Sequence, residues 1–459
     1  MKRLKKISIL LAVLIVVCAV AFGVSRYEEH KEEIKNTDAV ILAVDESSVT
    51  ALSLEYDDTS LTFHKSEDGA WLYDADEAFP VDADKIDKLL NVFESFGASF
   101  IIENVDDFSQ YGLDTPTCTI KLTASDTEYT VELGAYSTMD SKRYVSIGDG
   151  NVYLSSVDPF DTYEVALSDM IKDDELPKLT EADSISFTST DSENYDIYRE
   201  DDNTFTYCAD DIYFTKNGDE VLALDTSKIK SYLSSVGYTK HTDYVTYNAT
   251  DEELSSYGFD EPYMTVNIGY TTTDEDKNET ENNLKLDIGS VDEKYYLRIN
   301  DSQIIYSLSS SDYEALTDVS YDSLRHDDIF TADFSEVYRV DVSLEEYTYT
   351  FTCETKDNKT IWYYNDEEIS IDGFKSALSS LSADSFTDEE AAQKEEIGIT
   401  LYLNNDSFSQ AVIKLYRYDG NTCLAYVDEK PVALIPRSQA VSLIEAVNTI
   451  ILGDKTSGD

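Results

Sequence analysis

Hydrophobic positions along this chain switch period three times, from every second residue to every third and fourth and back again. Ile86, Leu89, Leu90 and Phe93 stand at i, i+3, i+4 and i+7, and so do Ile229, Tyr232, Leu233 and Val236, and Phe374, Ala377, Leu378 and Leu381. Each set predicts a helix with one apolar face. Asp82, Asp225 and Asp372 are placed to cap the three helices at their N-termini, and Gly97 and Gly237 to end the first two. Upstream, alternating runs rich in Val, Ile, Tyr, Phe and Thr predict strands at 49–54, 61–64 and 70–73, at 184–187, 195–199 and 204–207, and at 337–342, 347–353 and 360–364. Downstream come pairs at 144–147 and 152–154, 296–299 and 304–308, and 424–427 and 432–435, with closing helices that begin near Asp161, Ser311 and Ser438.

Identity reinforces the periodicity. Tyr111-Gly112-Leu113-Asp114-Thr115-Pro116 recurs as Tyr257-Gly258-Phe259-Asp260-Glu261-Pro262. The alternating Cys118, Ile120 and Leu122 then correspond to Met264, Val266 and Ile268, and Leu133-Gly134 to Ile288-Gly289. Extra residues in the second copy fall in the acidic stretch 271–282, read as a loop extension. The third copy keeps Ile397-Gly398 in place of the turn, followed by Ile399, Leu401 and Leu403, and carries its own acidic stretch at 384–396. The expected fold class is therefore α+β: a tandem repeat of three antiparallel-sheet-plus-helix units at 38–175, 178–328 and 331–452 after an N-terminal transmembrane helix. A stalk at 27–37 and a polar tail at 453–459 complete the organisation.

Charge changes the picture mainly at the ends. With 35 basic and 93 acidic residues the chain carries −58, which repels phosphate backbones and argues against nucleic-acid binding. Residues 1–26 reverse the sign, holding Lys2, Arg3, Lys5, Lys6 and Arg26 and no acid, around an apolar run at 7–24 with Ser8 as its only clearly polar member. That run is long enough to span a bilayer, and the basic tip predicts a cytoplasmic N-terminus with the bulk of the chain outside. Ala19-Val20-Ala21 fits a processing site, but the apolar run continues through it to Val24, which favours a retained anchor. Val17 before Cys18 argues against lipidation.

Candidate chemistry is sparse. His30, His64, His241 and His326 are scattered with no paired spacing, and nucleophile elbow, phosphate loop and dinucleotide fingerprint are all missing from the sequence. The expectation is no catalytic, cofactor or metal residues. For calcium, Asp149-Gly150-Asn151 and the acids between Asp274 and Glu281 are the best candidates, and neither has the spacing of a calcium loop. Trp71 and Trp362 occupy matching places ahead of their helices and read as core. Cys118, Cys208, Cys353 and Cys423 lie on separate predicted segments and read as small buried hydrophobes.

The anchor and the repeated Tyr-Gly-[Leu/Phe]-Asp-x-Pro turn at Tyr111 and Tyr257 resemble the bacterial family called domain of unknown function 4340, over nearly all of 38–330. The third unit departs from the pattern, having neither the Tyr nor the Pro. The resemblance implies a membrane-anchored protein that accompanies an ABC-type exporter related to the gliding-motility transporter, and it brings no catalytic residues. The resulting expectation is a non-enzymatic, membrane-tethered extracytoplasmic accessory protein with ABC transporter subunits as partner and no cofactor. A surface protein binding a wall polymer or other ligand, and an acid-pair hydrolase, are the alternatives.

Overall fold

The computed structural model describes residues 14–20, 33–191, 194–241, 243–356 and 359–453. The predicted cytoplasmic tip, the flanks of the predicted anchor, the stalk up to residue 32 and the tail beyond Gly453 lie outside the described residues. Residues 14–20 are helical and exposed, and among the described residues no helix is long and apolar enough to cross a membrane. Two compact units are formed, one from Met1–Asp174 with Thr242–Ala249 and the other from Glu175–His241 with Thr250–Asp459.

The first unit is built on one sheet. Its strands are β1 (Glu33–Asn36), β2 (Val40–Leu42), β3 (Val49–Tyr56), β4 (Thr59–Lys65), β5 (Trp71–Tyr73), β6 (Phe96–Glu103), β7 (Cys118–Ala124), β8 (Thr127–Ser137), β9 (Lys142–Ser146) and β10 (Val152–Ser155). They lie in the order β1-β6-β10-β9-β8-β7-β3-β4-β5, with β2 also beside β6. Part of the predicted stalk is thus sheet: β1 runs antiparallel to β6 with Lys35 opposite Ile101. Beyond residues 14–20, the α-helices among the described residues of this unit are α1 (Ala83–Asn91) and α2 (Phe160–Tyr163), and the α1 face formed by Ile86, Leu89 and Leu90 is buried together with Phe93.

In the second unit the chain forms β11 (Ser184–Ser189), β12 (Tyr195–Arg199), β13 (Tyr213–Asn217), β14 (Glu220–Leu224) and α3 (Thr226–Tyr238). The following strand, β15 (Tyr244–Thr246), belongs to the first unit, where the Tyr247 hydroxyl donates to Asp76 Oδ2 at 2.5 Å and its ring meets the edge of Phe79. The second unit continues with α4 (Asp251–Ser256), β16 (Met264–Thr273), β17 (Glu279–Val291), β18 (Lys294–Ile299), β19 (Ile305–Leu308), α5 (Ser310–Thr317) and α6 (Tyr321–Leu324). Its third-repeat elements are β20 (Val337–Leu344), β21 (Tyr347–Lys356), β22 (Lys359–Tyr364), β23 (Glu367–Ile369), α7 (Asp372–Ser379), β24 (Ser385–Phe386), β25 (Glu395–Leu403), β26 (Gln410–Arg417), β27 (Thr422–Val427), β28 (Lys430–Pro436) and α8 (Arg437–Leu452). Two sheets result, β14-β13-β12-β11-β16-β17-β18-β19 and β23-β22-β21-β20-β25-β26-β27-β28-β24.

One plan governs all three largely antiparallel sheets. A meander leads into the amphipathic helix, and the chain then returns to pair with the meander's first strand: Leu52 opposite Leu122, Ile185 opposite Ile268, Val340 opposite Leu401. The helix covers one sheet face during that return, which is why its buried positions repeat in all three copies. Tight hairpins such as Asp292-Glu293, Asn365-Asp366 and Asp428-Glu429 hold both turn residues at positive φ, the primed-turn geometry that matches strand twist.

Several local expectations are corrected. A strand follows the helix that the sequence pattern did not mark: β6 pairs with β10, and β24 with β28. Gly97 lies inside β6, and Gly237 lies inside α3, where a Cβ would stand 3.1 Å from the Pro177 carbonyl, so these glycines allow close approach and end no helix. Residues 204–207 are no strand because the Asn203 side-chain oxygen accepts the Phe205 and Thr206 amides and bends the backbone. The stretch 271–282 is no loop; β16 and β17 stay paired out to Thr273 opposite Glu279. Gly398 is an interior residue of β25, opposite Ser343 and Lys414.

Capping also divides the three helices. Asp82 accepts the Asp84 amide and Asp225 accepts those of Ser227 and Lys228, whereas Asp372 is the first helical residue and Ile371 occupies the cap with no side-chain bond. Replacing Asp82 or Asp225 by alanine is expected to lower stability by about 1 kcal/mol, and the same change at Asp372 by a few tenths, as read from urea melts. Equal losses at all three sites would contradict the assignment of the caps.

Candidate functional site

The strongest sequence signal, the Tyr-Gly turn, is a packing device. Gly112 and Gly258 sit at φ of 70° and 84°, the left-handed region that glycine enters without strain. The carbonyl before each closes directly onto the second glycine of its unit: a Cβ on Gly134 would lie 2.3 Å from the Tyr111 oxygen, and one on Gly289 would lie 2.2 Å from that of Tyr257. The Tyr111 and Tyr257 rings meet Tyr144 and Tyr296 at 5.0 and 4.8 Å between centroids.

Chemistry gathers elsewhere, beside a cleft of about 490 Å³ in the second unit, lined in part by Tyr207, Asp211, Tyr321, His326, Phe408 and Asp428. The segment after β12 builds one wall. Asn203 Nδ2 donates to the Cys208 carbonyl at 2.7 Å, and the Asp211 amide reaches the same oxygen at 3.2 Å, so the bend that excludes a strand also fixes Cys208 and Asp211. His326 comes from the residues just after α6. Its Nε2 lies 2.6 Å from Asp211 Oδ1, while Asp211 Oδ2 accepts the Thr206 hydroxyl at 3.0 Å. The other ring nitrogen, Nδ1, lies 3.8 Å from Asp225 Oδ2, the carboxylate that also caps α3. Ligand atoms of Cys208, Asp211 and His326 all fall within 4.8 Å of one another. Asp211 is 1% exposed and Cys208 8%.

Burial, reinforced by the Asp211 carboxylate, pushes the Cys208 thiol up to about 12. Burial pulls the His326 ring down, but the Asp211 hydrogen bond and the charges of Asp211, Asp225 and Asp328 outweigh it, and the net direction is up. With Nε2 on Asp211 and Nδ1 facing Asp225, both ring nitrogens of His326 are turned to carboxylates, and the thiol beside them is held in its protonated form. At the cleft's other wall, burial raises the Asp428 carboxyl even though it accepts the Val412 amide at 2.9 Å. The Arg325 guanidinium sits 3.9 Å over the Phe386 ring and donates to the Val432 carbonyl, and Lys430 pairs with Glu220, so the second and third sheets are joined around the cleft.

The other residues singled out in the sequence have local partners. His64 pairs with the exposed Asp74, and His241 meets the Thr239 carbonyl and the edge of Tyr306; His30 lies outside the described residues. The two calcium candidates are turns: Asp149 accepts Asn151 and the Tyr153 hydroxyl, and Asp274 accepts both nitrogens of Asn278. Trp71 and Trp362 are each 6% exposed and lie in the core, and Cys118, Cys208, Cys353 and Cys423 are all free thiols. Sequence reasoning missed the cleft cluster because 115 residues separate Asp211 from His326.

An α+β protein of successive antiparallel sheets, each crossed by a helix and two of them pinned by the Tyr-Gly turn, is what these features define. A family profile described as "Domain of unknown function (DUF4340)" matches residues 71–251 and 215–400, and the chain belongs to that family. The matches run on into the third sheet, past the Pro-containing turns on which the resemblance rested. No curated protein and no solved structure matches the chain.

Proposed function

We propose that this chain is a non-enzymatic accessory protein, tethered by a single transmembrane segment at residues 7–24 with its N-terminus cytoplasmic and its bulk extracytoplasmic, and that it works beside an ABC-type exporter by docking on a basic surface of a transporter subunit. The observation that carries this reading is the hairpin formed by the outer halves of β16 and β17. Residues 271–281 are all exposed, and Asp274, Glu275, Asp276, Glu279 and Glu281 stand there against Lys277 alone. The ladder continues to the tip, where Asp274 pins the turn through Asn278, so the acids are presented on a fixed element. Fixed charge on a projecting hairpin steers and registers a complementary partner. The acids of 384–396 are less suited, because Glu389, Glu390 and Glu396 are engaged at home by Tyr418, Tyr426 and Arg437. The protonated Cys208 thiol and its engaged histidine support the non-enzymatic part of the reading.

Deleting 271–282 and joining Tyr270 to Asn283 by a short Gly-Ser link is expected to leave the melting temperature nearly unchanged. The same deletion is expected to abolish co-purification of transporter subunits from detergent-solubilised membranes, and added salt to weaken that co-purification for the intact chain. Retained partner binding after the deletion overturns the docking surface. Protease added to wall-stripped intact cells is expected to remove the globular part; survival until the membrane is broken would reverse the orientation.

A further inference from the structure

We infer that Cys208, Asp211 and His326 form a binding site for a zinc-type divalent transition-metal ion, with Asp225 as the outer carboxylate that orients the histidine. The donor set is one thiolate sulfur, one imidazole nitrogen and one carboxylate oxygen, the mixture that suits zinc and its neighbours and is too soft for calcium or magnesium. Convergence is already present, since the three ligand atoms lie within 4.8 Å of one another. Zinc bonds of about 2.0 to 2.3 Å in a tetrahedron put ligand atoms roughly 3.3 to 3.7 Å apart. Replacing the 2.6 Å contact between Asp211 and His326 by a shared ion therefore opens that nitrogen–oxygen pair by about 0.7 Å, within reach of side-chain adjustment.

Two further features have the form of a metal site. The His326 ring presents Nε2 to the cluster, and Nδ1 faces Asp225 Oδ2 at 3.8 Å, so a small turn of the ring on metal binding would complete the carboxylate-histidine hydrogen bond by which metal-binding histidines are held in one tautomer and orientation. Asp211 is held by the Thr206 hydroxyl on one oxygen and leaves the other facing the histidine. Among the described residues three protein ligands converge, which leaves a fourth position for water or a partner's group, and the cleft lined by Asp211 and His326 supplies the way in. Loading exchanges protons for the ion: the Cys208 thiol, and the imidazole where it is protonated, release theirs to solvent as the metal bonds form. The site does not depend on whether the chain works beside an exporter.

The full chain, purified in detergent and stripped with a chelator, is titrated with zinc alone and with cobalt as a spectroscopic probe. One ion per chain is expected, with proton release on zinc binding and a thiolate-to-cobalt charge-transfer band. Cys208→Ser is expected to lose the band, and His326→Gln to weaken zinc binding at least 100-fold. Cys423→Ser, another buried thiol, is expected to change neither. Asp225→Asn keeps an oxygen for capping α3 and so preserves the fold; it is expected to weaken zinc 10- to 100-fold while retaining the band. Millimolar or weaker zinc binding by the parent chain, or a cobalt band unchanged in Cys208→Ser, or zinc affinity unchanged in both His326→Gln and Asp225→Asn, overturns the assignment.

Discussion

Gly134→Ala and Gly289→Ala are expected to be among the most damaging single-atom additions to this protein, each lowering stability by about 3 kcal/mol. Neither glycine has a positive φ, so strain in its own backbone is not the reason. The added methyl would meet the carbonyl oxygens of Tyr111 and Tyr257 at 2.3 and 2.2 Å, and these are backbone atoms fixed by their own turns. In the first unit Gly112 donates to Ser109 and Leu113 to Phe108; in the second Gly258 donates to Ser255 and Phe259 to Leu254. Relief therefore requires moving a whole turn, and the Tyr111–Tyr144 or Tyr257–Tyr296 packing with it. Gly112→Ala should rank next, because it adds left-handed strain to a 2.8 Å approach to the Ala135 amide. Gly258→Ala should be milder, since its nearest neighbour is a Val291 methyl at 3.1 Å that can rotate aside. Gly148→Ala, at positive φ but in open space, sets the reference of about 1 kcal/mol. Urea melts of the series decide the matter; if Gly134→Ala costs no more than Gly148→Ala, the interlock is wrong.

Those glycines also show what the sequence makes visible. The recurrence of Leu133-Gly134 as Ile288-Gly289 was plain, but the reason for it is a contact with a carbonyl far along the chain, which no local pattern encodes. The helix faces were legible because burial against a sheet imposes the 3.6 period on every copy, as at Ile86, Ile229 and Phe374, all fully buried. Central strands such as β7, β16 and β25 were legible through their alternation. The strands after the helices were not, since β24 is only two residues long and β6 carries Gly97 within it. Residues 204–207 had strand composition and lost to one side chain, because Asn203 offers the backbone a closer hydrogen-bond partner than a neighbouring strand. The cleft cluster lay beyond sequence reasoning for a different reason: its members belong to a bend and to the end of a helix far apart in the chain, and it is tertiary packing, with the Asp225 amide bonded to the Leu324 carbonyl, that brings them together.

Arg143→Met is expected to cost about 3 to 5 kcal/mol, and adding Asp158→Asn to restore most of that loss. Arg143 is 8% exposed. Its Nε donates to Asp158 Oδ1 at 2.8 Å, its Nη1 to the Gly134 carbonyl at 2.8 Å, and its guanidinium lies 4.7 Å over the Phe160 ring. Removing the cation alone leaves the Asp158 carboxylate buried with no counter-charge, and that desolvation dominates the cost. Asparagine at 158 removes the charge yet still offers an oxygen to the Phe160 amide, which Asp158 accepts at 3.0 Å. The chain itself contains the apolar solution. Registering Leu133 with Ile288 places Tyr295 where Arg143 stands, since Leu133 pairs with Val145 and Ile288 with Leu297. There Tyr295 stacks on Tyr313 with centroids 3.8 Å apart and rings 14° from parallel, so one sheet fills with two rings the place that another fills with an ion pair over a ring. A stacked pair needs no buried charge, which is why the double variant should lie within about 2 kcal/mol of the parent, the remainder being the lost bond to the Gly134 carbonyl and the lost packing. A double-mutant cycle from urea melts measures the coupling directly, and additive losses would mean that the ion pair is not what holds β9 to α2.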